Sequence, residues 1–167
     1  SVLNNVSIAL DVGSYIVSQD GVAGYQPSVW GGDCAADGSI TLALDQGAVC
    51  TITNDDISPT LKVFKTIVND NGGTILDENL FTLRVDGNIV LHDAVNNFDA
   101  GNHLVSEDGL DGYQAGSWGG DCAADGSITL ALGQDASCTI TNDDIAPRLT
   151  VFKTIINDNG GTILDPD

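Results

Sequence analysis

The 167-residue chain has no methionine, and its five basic side chains face 24 acidic ones, a formal net charge of -19. Such an acidic excess repels a phosphate backbone or an anionic leaflet, which excludes nucleic-acid and membrane-surface binding. Apolar runs are short and broken by Gly, Asn and Thr. They fall well below the roughly 20 residues of a membrane helix, so no membrane insertion is expected of this segment. Only two histidines occur, His92 and His103. That is too few for a histidine triad or histidine metal cluster built into a repeating unit. Aromatic residues make up 5% of the chain, too few for a sugar-stacking platform, and Trp30, Trp118, Tyr25 and Tyr113 are expected in the core. No CxxC occurs, so zinc ribbons and thioredoxin-type redox sites are excluded. No basic start followed by an apolar stretch marks a leader, and the chain reads as an interior piece of a longer product.

What is present is a repeat. Residues 1–79 align without a gap on residues 89–167, an offset of 88, and 52 of the 79 pairs are identical. WGGDCAADGSITLAL runs from Trp30 to Leu44 and again from Trp118 to Leu132. Taking TNDDI and the Pro that follows (Pro59, Pro147) as the boundary, residues 1–58 are the back part of one repeat. Residues 59–146 form a complete repeat, and 147–167 the first strand and loop of the next, a window on a tandem array.

Within the unit the apolar period is two. Leu61, Val63, Lys65 and Ile67 share a face; so do Phe81, Leu83 and Val85; His103, Val105 and Glu107; Ile128, Leu130 and Leu132; and Cys138, Ile140 and Asn142. Turn formers (NDNGGT, VDGN, EDGLDG, AADG, LGQD) separate them, and no capped amphipathic helix fits. The expected fold is all-β: tandem small antiparallel β-sandwiches of about seven strands each, as in immunoglobulin-like folds. With 42% hydrophobic and 17% charged residues the chain is expected to fold rather than stay disordered.

Each copy has two cysteines 16 positions apart, Cys34 with Cys50 and Cys122 with Cys138. Four cysteines allow three pairings; the shared spacing favours one bridge per copy, against the alternative of buried free thiols. Such bridges point to an extracellular, secreted location. Of the 24 acidic residues 22 are Asp, which suits turns and oxygen-ligand cation sites. If the first and last strands end at one pole, Asn69, Asp70 and Asn71 meet Asp143 and Asp144, a candidate Ca²⁺ site at the joint between units. No cofactor is required by anything else in the sequence.

The opening strands LKVFKTI and LTVFKTI, the segment HLVSEDGLDGY and the closing CTITN resemble, in order and facing, the prealbumin-like repeats of bacterial and archaeal surface proteins, close to the collagen-adhesin B-type domains of pili. The resemblance implies an isopeptide bond, with Lys65 as nucleophile, Asn142 as acceptor and Glu107 as proton shuttle. In the first copy Gln19 stands at the Glu107 position, so Asn54 is expected to stay unlinked. No enzyme is expected beyond this autocatalytic step. The function expected is a structural repeat of an extracellular filament or a cell-surface adhesin stalk, made robust by staples; the alternative is a ligand-binding adhesin module with copy-specific loops. The partners expected are copies of the same protein or neighbouring repeats, including strand complementation by segments such as 149–156.

Overall fold

A computed structural model describes residues 4–162. Among these residues there is no α-helix; one 3₁₀ turn, Glu78–Leu80, is capped by the Asp77 carboxylate. The first copy contributes β1 (Gly13–Ile16), β2 (Tyr25–Pro27), β3 (Gly31–Gly32), β4 (Ser39–Leu42), β5 (Cys50–Thr51) and β6 (Asn54–Asp56). The second contributes β7 (Thr60–Val68), β8 (Leu83–Val85), β9 (Asn88–Val90), β10 (Asn96–Asn97), β11 (Gly101–Glu107), β12 (Tyr113–Ala115), β13 (Gly119–Gly120), β14 (Ser127–Leu130) and β15 (Asp135–Asp144).

From β7 onward the strands form a sandwich. One sheet runs β10-β7-β15-β12, with β13 also on β15; the other runs β14-β11-β8-β9. The alternation follows the two-residue period of the sequence: β15 buries every second side chain from Ala136 to Asp144. Leu61, Val63, Leu83, Val85, Val105, Ile128, Leu130, Cys138 and Ile140 fill the space between the sheets, with Trp118 and Phe98 packed at its margin.

One pairing departs from the antiparallel expectation. β7 and β15 run parallel over nine register positions, from Thr60 with Asp135 to Val68 with Asp143. The first and last strands of the unit thus lie side by side and end at the same pole, which brings the loop after β7 to the end of β15.

The first copy repeats part of this plan. β1 pairs with β4 as β11 does with β14, and β2 and β3 meet β6 and β5 as β12 and β13 meet β15. It has no counterpart of β7 among the described residues, and its apolar face is correspondingly open. Ile8, Leu10 and Val12 are about half exposed. Tyr25, expected in the core, is 40% exposed for the same reason.

Candidate functional site

Three polar side chains reach into the sandwich. Lys65 comes from the middle of β7, Asn142 from the adjacent β15, and Glu107 from the end of β11 in the facing sheet. Lys65 and Asn142 are 2% and 1% exposed. Lys65 Nζ donates to Glu107 Oε2 at 2.5 Å, and Asn142 Nδ2 donates to Glu107 Oε1 at 2.8 Å. One carboxyl therefore bridges the amine and the carboxamide. The Lys65 amine also sits 4.3 Å from the centre of the Phe81 ring, and its backbone N–H donates to His92 Nδ1.

Burial pushes the Lys65 pKa down, and the hydrogen bond and charge of Glu107 only partly restore it. The geometry thus favours a neutral amine more than water does. Asn142 Oδ1 is buried with no partner. The amide nitrogen, not this oxygen, faces the Glu107 carboxyl. In the first copy the corresponding residues make a closed amide pair: Gln19 Nε2 donates to Asn54 Oδ1 at 2.8 Å, and Asn54 Nδ2 to Gln19 Oε1 at 3.1 Å.

Both cysteine pairs are disulfides, Cys34–Cys50 and Cys122–Cys138, each with Cα atoms 5.1 Å apart. The second ties β15 to the turn before β14, where Gly126 has φ +87° and an added Cβ would lie 2.2 Å from the Val105 carbonyl. Only glycine fits that close approach.

At the pole the five residues expected at the joint lie together, with most of their donors and acceptors already engaged. Asp144 accepts from the backbone amides of Asp70, Asn71 and Gly73. Asn69 Oδ1 accepts from the Tyr113 hydroxyl, Asn69 Nδ2 donates to the Ile75 carbonyl, and Asn71 Nδ2 donates to the Asp144 carbonyl. Burial raises the Asp144 pKa, but the amides of Gly73, Asn71 and Asp70 and the Asn71 side chain outweigh it, and the net shift is downward. Asp70 moves the other way, raised first by the charge of Asp143 and then by burial and Asp144. Carboxylate oxygens of Asp70, Asp143 and Asp144 lie within 4.8 Å of one another. The Asp144 carboxylate is an anion held in a ring of amides, so a cation here would rely on Asp70 and Asp143, both exposed.

Several contributors carry no sequence signal of their role. Phe81 and Tyr113 read as core residues; one supplies a ring face to the amine, the other a hydroxyl to the loop. His103 Nδ1, on β11, pairs with Asp86 Oδ2 in the turn after β8 at 2.7 Å.

The inward lysine, the bridging acid and the asparagine on the neighbouring last strand sit in a sandwich whose sequence matches, over residues 2–52 and 56–140, the model of the prealbumin-like fold domain. The chain belongs to that family. Prealbumin-like domains of this type are structural rather than enzymatic and are typical of surface and pilus proteins. No curated protein and no solved structure matches the chain. No helix among the described residues is long and apolar enough to cross a membrane.

Proposed function

We propose that this prealbumin-like chain is a tandem structural repeat of an extracellular filament or surface stalk, stapled in its complete unit by an isopeptide bond between Lys65 and Asn142 as well as by a disulfide. The observation that carries this reading is the single carboxyl of Glu107 contacting both the amine and the carboxamide in the buried interior. Proton transfer from Lys65 to Glu107 leaves a neutral amine, the form that burial favours at Lys65. The amine attacks Asn142 Cγ and Glu107 protonates the developing oxyanion; the carboxylate then takes a proton from the attacking nitrogen, passes it to the departing nitrogen, and regains the hydroxyl proton as the carbonyl re-forms. One C–N bond forms, one breaks, and ammonia leaves.

Intact mass tests the covalent part. With both disulfides counted, the chain should be lighter than its sequence mass by one ammonia, about 17 Da. Glu107→Gln should restore the full mass. An unshifted wild-type mass removes the covalent staple and leaves a buried ion pair. The ligand-binding alternative is less well supported, because the turn sequences AADG and NDNGG are identical in the two copies; an array kept for spacing needs no loop divergence.

A further inference from the structure

The two copies meet at a joint, and both of its faces lie within the chain. The linker runs from the end of β6 at Asp56 to the start of β7 at Thr60. Ile57 is tied on both sides: its N–H donates to the Gly24 carbonyl of its own copy at 2.8 Å, and its carbonyl accepts from the Gly133 N–H of the next copy at 2.7 Å. Pro59 is fully buried, and its carbonyl accepts from the Phe98 N–H of the complete unit. The proline ring fixes its own φ and holds Ser58, the residue before it, to extended backbone. The path between the copies therefore keeps little torsional freedom. Beside the linker, the turn 131–134 between β14 and β15 sits on the loop before β2. Gly24 in that loop has φ +81°, and a Cβ added to it would lie 2.6 Å from Leu132 Cβ and 3.2 Å from the Leu132 carbonyl oxygen. The repeat supplies an internal control. Gly112, the counterpart of Gly24, has φ +85°, yet a Cβ there meets no described atom within 4 Å. Leu44, the counterpart of Leu132, is 86% exposed, whereas Leu132 is half-buried. Glycine is thus required at Gly112 by the backbone alone, and at Gly24 by the backbone and by the neighbouring copy.

We infer that this contact is a fixed articulation: Leu132 and Gly133 of one unit seat on Gly24 and Ile57 of the unit before it, so that successive units are held at one angle. Units joined by a small interface move relative to one another by default. Here a linker bonded to both copies and a turn seated beside it remove that freedom. The inference deepens the structural-stalk reading above, on which its use rests, by making the stalk a stiff rod instead of a string of swivelling beads. The residues of the joint recur at the offset of the repeat: Gly112, Leu44, Ile145 and Pro147 hold the positions of Gly24, Leu132, Ile57 and Pro59. Ile145 N–H donates to the Gly112 carbonyl at 2.8 Å, as Ile57 does to Gly24. Gly133 is replaced by Asp45, but the joint uses only the backbone N–H of that position, and Asp45 shares its left-handed backbone, with φ +56° against +68°. Each junction of an array built on this repeat can therefore use the same seat, and its bearing is passed from neighbour to neighbour.

The test is pulsed dipolar spectroscopy of the oxidised 167-residue chain. Spin labels are carried on unnatural, non-cysteine residues at the exposed counterparts Ala36 and Ala124, which leaves both disulfides intact. The expected result is one narrow distance distribution. Gly24→Val drives a side chain into Leu132 and should shift and broaden it. Gly112→Val carries the same backbone strain away from the joint and should leave it unchanged. Leu132→Gly removes the seated side chain without altering the first copy; it should broaden the distribution as well, and it decides the matter where Gly24→Val does not fold. A broad wild-type distribution overturns the inference. So does a narrow one that neither Gly24→Val nor Leu132→Gly alters, or one that Gly112→Val alters as much as Gly24→Val. A narrow distribution from a chain of unshifted mass keeps the fixed joint and removes the covalent staple. A broad one from a chain lighter by one ammonia does the reverse, so the two readings fail separately.

Discussion

Lys65 shows how one side chain can be costly and useful at once. A lysine on an otherwise apolar strand face must be compensated, and the structure does so with Glu107 and the Phe81 ring. Removing the lysine leaves Glu107 without its partner in a buried site, so Lys65→Ala should lower stability by about 3–5 kcal/mol in denaturant titration. A second residue-scale prediction concerns His103. Its pKa is raised, first by the hydrogen bond to Asp86, while that of Asp86 is lowered, first by the same hydrogen bond. The histidine's contribution is therefore full below its ordinary 6.5 and lost as pH rises through the higher folded value. The aspartate's is full above 3.8 and lost as pH falls through the lower folded value. His103→Tyr, the residue of the other copy, should melt below the wild type near pH 6 and converge on it as the pH is raised to 9. The inward phase of Lys65, Glu107 and Asn142 is legible in the sequence, because a two-residue period fixes which side of a strand each occupies. The His103–Asp86 contact is not, since it depends on the register in which β11 pairs with β8 and its turn.

At the scale of elements, the loop after β7 and the end of β15 behave as one piece. Asp70 is disfavoured as an anion in the folded state, so neutralising it should help above pH 3.8. Asp70→Asn, which keeps an acceptor for Asn71, is expected to raise the melting temperature in chelator. If calcium binds here, adding it should stabilise the wild type and not the variant. Asp144→Ala should lower the melting temperature by several degrees at pH 7, because three backbone amides lose their acceptor. Strand order in the chain told which residues gather at this pole, but not that backbone N–H groups would claim the Asp144 carboxylate. Amides carry no signature in the side-chain sequence, and an aspartate that caps a loop reads the same as one that ligates a cation.

For the molecule as a whole, the 88-residue offset made the strand plan of the second copy readable in the first, down to the two-residue strands at Gly31–Gly32 and Gly119–Gly120. Tyr25 escaped it because burial belongs to a closed sandwich rather than to a residue. A unit this small buries a modest core, so its disulfide matters. Replacing Cys122 and Cys138 together by alanine should cost about 3 kcal/mol, read from the denaturant midpoint, as expected for a loop of roughly 15 residues.

The parallel course of β7 and β15 sets how tension would travel. The chain enters the unit at the start of β7 and leaves at the end of β15, at opposite poles. Pulling on the array would slide two neighbouring strands lengthwise, stressing nine rungs at once instead of unzipping them in turn. A bond from Lys65 to Asn142 would short-circuit that path, carrying the pull across the bead while most of the sandwich stayed slack.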